Sequence, residues 1–292
     1  MYLHFFMNAS SLIFRIKRII LKIYREPISL FKIFNIKKFL KIIYGLSNIQ
    51  VRFKDLKKDY QINTLFNTLE KIDLIFDKSL INNKKLIKEI RIEDLEKKYL
   101  NDENCEKLKS LFKKYGSDKN LNNLVYVYFD IFKNYKINSL FEIGLGTNNI
   151  NIRSNMGLDG KPGASLRAFR DYLGIKIYGA DVDKSILFNE KNIKTYFIDQ
   201  LSVETIHNIK SLIPKVDLII DDGLHQPDAN LNIILYLLDH LNQNGILVIE
   251  DIEPCFVNIF QIIQKIYTKT GKFKSSLIKM KTGYCLVIHN SK

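Results

Sequence analysis

Two apolar stretches that each end in acid constrain this chain more than any other feature. The first reads VDLIIDDGLHQ from residue 216 and the second GILVIEDIEP from residue 245, with an amphipathic run between them. Asp222 and Glu250 stand 28 residues apart. That spacing suits strand, loop, helix, loop and strand, and strands joined by such a crossover lie parallel in one sheet. Asp221, Asp222, His225, Glu250 and Asp251 are then gathered at two neighbouring strand ends. Carboxylates that converge repel one another unless a cation compensates. The stretch therefore predicts a metal site with a base beside it.

The rest of the chain supplies the sheet around these two strands. From residue 138 onward, SLFEIG, KIYGAD, KTYFID, VDLIID and GILVIED alternate with helical runs such as ASLRAFRDYL, SVETIHNIKSLI and DANLNIILYLLDHL. KSSLIKM and YCLVIHN follow, separated by the turn signal KTG, and make a closing hairpin. Five strands alternating with helices and a terminal antiparallel pair predict an α/β fold, a Rossmann-like doubly wound sheet of seven strands. This domain is expected over residues 114–292, after a helical N-terminal region at 1–113. With 292 residues, 46% of them hydrophobic, the chain can bury a core of that size.

Charge and cysteine content narrow the partners. The formal net charge is +14, but Lys is spread through a chain that is also rich in Ile and Asn, and no RGG tract or RNP pattern accompanies it. Nucleic acid is not the expected partner. Cys105, Cys255 and Cys285 are far apart and in no C-x-x-C spacing, which argues against a disulfide framework or zinc knuckle and for a reducing, cytoplasmic setting. No apolar run approaches the length of a transmembrane span. Residues 8–46 carry nine Lys and Arg against Glu26 alone, set among Ile, Leu, Phe and Tyr at helical spacing. Two expectations stand side by side for this segment: a peripheral contact with a membrane face, or packing on the domain or on a second subunit of a homo-oligomer.

A nucleotide-like cofactor is expected on the other half of the same sheet edge. FEIGLG ends the first strand, and Gly144 and Gly146 let backbone amides approach a ligand. NAD fits poorly, because Asn149 stands where G-x-G-x-x-G has its third glycine, and Asp181 lies 37 residues past Gly144 instead of about 20. A phosphate-free adenosine cofactor fits better. Asp181 and Asp183 in GADVD offer carboxylates to ribose hydroxyls, Asp199 and Gln200 in FIDQ offer acceptors to an adenine amino group, and Glu142 with the loop beyond Gly144 can receive an α-amino group. Asp221 is grouped with these cofactor-side residues, since the spacing to His225 makes Asp222 the better ligand.

FEIGLG, GKPGASLRAFRDYL, YGADVDK, FIDQ, IIDDGLHQ and VIEDIEP together resemble class I S-adenosylmethionine-dependent methyltransferases. The likeness is greatest to the metal-dependent sugar O-methyltransferases of macrolide tailoring, of the mycinamicin type, and covers residues from about 114 to 290. It implies S-adenosyl-L-methionine and Mg²⁺ as cofactors and a sugar or glycan acceptor. By position it implies Asp222, Glu250 and Asp251 as metal ligands and His225 as the base. It also implies that the KYGSDK turn, with Ser117 and Asp118, helps to close the cofactor site. The loop over 147–161 departs from the family in length and Asn content. A catechol-like acceptor, a catalytically silent domain docked at a membrane, and, on charge alone, an RNA substrate are the alternatives.

Overall fold

The computed structural model describes residues 67, 68, 71 and 90–291 apart from 272, without the side chains of 268–270. The chain divides into two units, Met1–Phe66 and Asn67–Lys292, and every described residue lies in the second. The basic segment 8–46, and the expectations attached to it, lie outside the described residues. Among the described residues no helix is long and apolar enough to cross a membrane.

Short β1 (Ile90–Arg91) leads into α1 (Ile92–Tyr99), α2 (Glu103–Tyr115) and α3 (Leu124–Asn134). There follow β2 (Ser139–Ile143), α4 (Ala164–Leu173), β3 (Lys176–Asp181), β4 (Asn189–Glu190), β5 (Ile193–Phe197) and α5 (Val203–Leu212). The chain then runs through β6 (Val216–Asp221), α6 (Pro227–Leu237), β7 (Leu241–Ile252), α7 (Val257–Thr270), β8 (Phe273–Lys279) and β9 (Tyr284–Asn290).

Among the described residues one sheet holds all nine strands, in the order β1-β8-β9-β7-β6-β2-β3-β5-β4. The expected count of seven is corrected to nine because the two-residue strands β1 and β4 extend the edges, pairing with β8 and β5. Neither carries an apolar run that would announce it. The pairs β7–β6, β6–β2, β2–β3 and β3–β5 are parallel, whereas β9 lies antiparallel between β7 and β8.

Both faces of the sheet are dry. Leu140, Leu218, Ile220, Ile246 and Val248 face one core, with Cys105, Leu108 and Phe112 of α2, the apolar residues of α3 and Phe169 of α4. Residues of α1 and α2, upstream of 114, thus share a core with the sheet. Phe141, Ile143, Ile219, Leu247 and Ile249 alternate with the first set on their strands, and are as fully buried.

The register of the central strands decides where the acids end up. Ile143 pairs with Ala180 on one side and with Asp221 on the other, and Asp221 pairs with Ile249. Gly144, Asp181, Asp222 and Glu250 therefore emerge level with one another. From β2 the chain crosses to β3 on one side and later to β6 on the other, so the carboxyl ends of β2 and β6 flank a switch point, where open α/β sheets bind ligands.

Candidate active site

The structure gathers the acids of β2, β6 and β7 around an amino group from outside the sheet. Lys119 sits in a single 3₁₀ turn, Asp118–Asn120, capped by Ser117 and entered through Gly116, whose left-handed backbone (φ +79°) ends α2. Its side chain is 1% exposed, and its Nζ lies 2.6 Å from Glu250 Oε1, 2.8 Å from Asp222 Oδ2 and 3.0 Å from Glu142 Oε1. The Tyr128 hydroxyl, from α3, donates to the same Glu250 oxygen. Burial opposes the charge on Lys119, but the three carboxylates outweigh it and hold the amine protonated far above its ordinary range. Burial and the nearby charge of Asp222 push Glu250 strongly upward.

On the open side of Asp222 the arrangement differs. His225, held in a left-handed backbone conformation (φ +55°), brings Nε2 to 3.1 Å from Asp222 Oδ1. Asp251 (φ +48°) accepts from Asn122 Nδ2 at 3.4 Å. Oxygen or nitrogen atoms of Asp222, His225 and Asp251 all lie within 4.8 Å of one another, as do those of Glu142, Asp222 and Glu250, so Asp222 belongs to both groups. Burial raises the Asp222 carboxyl, yet Lys119 and His225 carry it down to about 2. Burial likewise works against the His225 imidazolium, but the Asp222 hydrogen bond and charge lift it to about 9.

These groups fit a divalent cation. The donors are hard carboxylate oxygens, which Mg²⁺ prefers. Glu250 Oε2 is buried with no hydrogen-bond partner, an acceptor that the protein leaves unused. Of the three expected ligands, Glu250 is grouped with Glu142 and Asp251 with His225, and Asp222 is common to both groups.

Of the cofactor-side residues, Gly144, Gly146, Asp181, Asp199 and Gln200 line a cavity of about 270 Å³ that reaches Asp222, whereas Glu142, Asp183 and Asp221 lie outside its lining. A smaller recess of about 30 Å³ continues past Gly144 and Gly146 to Ser117, Asp118 and Ser165. Several of the expected acceptors already have partners. Asp181 accepts from the Leu145 and Asp183 amides, at 2.7 and 2.8 Å, and so fixes the loop that leaves β2. Asp183 takes Thr147 Oγ1 and the Ser185 amide and hydroxyl. Asp199 accepts from the Leu201 amide. Asp221, fully buried, lies between Gln200 Nε2 at 2.6 Å and Asn230 Nδ2 at 2.9 Å, while Gln200 Oε1 accepts from the Leu224 amide. Glu142 Oε2 accepts from Ser165.

In the long loop, Thr147, Ile152, Arg153 and Ser154 reach the cavity, and Ser154 Oγ donates to the Leu224 carbonyl across it. Lys119 and Tyr128 were not found by sequence reasoning. The only trace was the Lys of the KYGSDK turn together with the expectation that clustered acids need a cation.

No protein-family model matches the chain. Over 101 residues it is 29% identical to the 8-demethyl-8-alpha-L-rhamnosyl tetracenomycin-C 2'-O-methyltransferase of Streptomyces olivaceus, a match that covers 34% of this chain and 26% of that enzyme. Among solved structures it is similar to the MycE methyltransferase of mycinamycin biosynthesis in complex with Mg and S-adenosylhomocysteine, at 22% identity and a TM-score of 0.51, over 63% of this chain and 55% of that one. The MycE complex that also holds mycinamycin VI aligns at 21% identity and a TM-score of 0.50, over 63% and 54%. The chain thus spans about a quarter of the curated relative and about half of MycE. What these likenesses show is that the chain has the α/β fold of the S-adenosylmethionine-dependent methyltransferases, and resembles sugar O-methyltransferases among them.

Proposed function

We propose that the chain is an S-adenosylmethionine-dependent, Mg²⁺-assisted O-methyltransferase acting on a sugar hydroxyl of a glycan or glycosylated metabolite. The observation that carries this reading is one of position. A cavity edged by Gly144, Asp181, Asp199 and Gln200 ends at Asp222, and Asp222 is also where His225 and Asp251 converge. The names of the relatives support the same reaction class and a sugar-bearing acceptor.

In this reading Asp222, Glu250 and Asp251 hold the metal, and His225 is the base. Glu142, Gly144, Gly146, Asp181, Asp183, Asp199, Gln200 and Asp221 form or brace the cofactor cavity. When bound, S-adenosylmethionine supplies an electrophilic methyl group and Mg²⁺ a Lewis acid that orients and acidifies a hydroxyl. The chain's own work is alignment and proton handling. Asp181 fixes the Leu145 amide, Gln200 fixes the Leu224 amide, and both loops thereby border the cavity in one geometry. His225 takes the hydroxyl proton at its ring, for which it needs to be neutral; the Asp222 carboxylate that lifts it to about 9 opposes this, and a cation on that carboxylate would relieve the opposition. A cytoplasmic setting, and a peripheral membrane or subunit contact through residues 8–46, belong to the same proposal.

Calorimetry with S-adenosylhomocysteine, followed by turnover of S-adenosylmethionine against a panel of rhamnosides and catechols, tests it. Cofactor binding with EDTA-sensitive methylation of a glycoside is expected. No cofactor binding would sink the enzyme reading, and turnover confined to catechols would remove the sugar.

A further inference from the structure

We propose that Lys119 is a built-in counter-cation that fills the inner half of the strand-end carboxylate cluster, so that the chain takes one divalent cation and takes it only in the outer half. The inference rests on the reading of this cluster as a metal site.

The cluster has more carboxylate than one dication needs. Glu142, Asp222 and Glu250 form one group close enough to share an ion, and Asp222, with Asp251 and His225, another. The ammonium of Lys119 stands within 3.0 Å of all three members of the inner group. It uses Oδ2 of Asp222 and Oε1 of Glu250. Oδ1 of Asp222 faces His225 instead, and Oε2 of Glu250 has no partner. Glu250 Oε2 is thus left unused, and Asp222 Oδ1, the oxygen of Asp222 that Lys119 does not take, is shared only with His225 on the outer side. The position of the ammonium is itself constrained. Ser117 caps the turn, Asn120 Nδ2 donates to the Lys109 carbonyl at 2.8 Å, and Asn122 of the same segment contacts Asp251 on the outer side. The segment joining α2 to α3 therefore holds acids from β2, β6 and β7 at once. Three carboxylates buried without that cation would be strongly destabilising.

Mn²⁺ serves as the probe, counted by calorimetry and by paramagnetic resonance, with thermal melting in EDTA and in saturating Mn²⁺. Wild type should melt as a folded protein in EDTA and bind one Mn²⁺. Lys119→Met keeps the stem and removes the charge. Without metal it should melt lower by about 10 °C, recover most of that loss in Mn²⁺, and bind a second Mn²⁺ per chain. One ion of wild-type affinity with a wild-type metal shift overturns the inference, and so does loss of Mn²⁺ binding by a folded variant. Should Lys119→Met be recovered in neither condition, Lys119→Met/Glu142→Gln, which loses one charge of each sign, carries the same comparison. A wild-type chain that binds no Mn²⁺ overturns both this inference and the metal reading. A wild type that binds one ion beside an unresponsive variant removes the inference alone.

Discussion

Gly144 and Asp222 meet backbone to backbone: a Cβ placed on Gly144 would stand 2.0 Å from the Asp222 carbonyl oxygen. The contact follows from the β2–β6 register and from the left-handed turn at Gly144 (φ +93°), which together carry the chain from the strand into the cofactor loop. A neighbouring backbone cannot yield as a side chain can, so Gly144→Ala should cost about 3 kcal/mol or more. Gly157 is also left-handed (φ +70°) but has nothing within 4 Å, so Gly157→Ala should cost only about 1 kcal/mol of backbone strain. Urea midpoints of the two variants, compared at equal slope, check the contrast. Equal losses would mean that the two backbones do not touch.

Gln200 is expected to act on the site through Asp221 and Leu224. Its amide group gives a hydrogen bond to one and takes a hydrogen bond from the other. Gln200→Ala leaves the fully buried Asp221 carboxylate with Asn230 as its remaining side-chain donor, and frees the Leu224 amide. The loss should be about 2–3 kcal/mol, with faster hydrogen exchange at Leu224. Unchanged exchange there would show that the 222–225 turn is held by other means.

The architecture was legible because burial on both faces makes β2, β3, β6 and β7 read as largely apolar runs, β2 ending in glycine and the others in acid, and those ends fall level in the sheet. The sheet was under-counted where strands have no side-chain pattern. Asn189–Glu190 pairs by backbone alone, and β1 is two residues long. The acids of the site were legible as residue types at strand ends, but their partners were not. Lys119 lies 103 residues before Asp222 and 131 before Glu250, and no periodicity links a turn to strand ends so distant. Likewise nothing in IIDDGLHQ announces the positive φ of His225 that turns its ring back to Asp222.

His225 should prove to be a reacting group and not a brace. Its ring is partly exposed, near Asp251 and on the open side of Asp222, where an acceptor can reach it. His225→Ala is expected to lower turnover of a verified substrate by roughly 10²–10⁴-fold while leaving S-adenosylhomocysteine affinity within about twofold of wild type. Single-turnover kinetics beside calorimetry separate the two effects. Wild-type turnover would remove His225 as the base, and a parallel loss of cofactor affinity would make it structural.

Acid sensitivity of the fold should come in part from His240, far from the reaction. His240 is 6% exposed, and its Nε2–H donates to the Ile213 carbonyl at 3.1 Å. Burial is the main cause of a pKa below the ordinary 6.5, with the Ile213 carbonyl pulling the other way and Lys210 adding to the depression. The unfolded chain therefore takes up this proton at a higher pH than the folded one. Stability then rises with pH across that interval and falls as pH drops below about 6.5. His240→Gln keeps an N–H donor and cannot be protonated. Urea midpoints at pH 7.5 and pH 5 should show wild type losing more stability on acidification than the variant. Subtracting one curve from the other cancels His289, also lowered by burial, and His225, which is raised and contributes in the opposite sense above pH 6.5. Parallel curves would show that His240 stays neutral in both states, and that the acid response lies elsewhere.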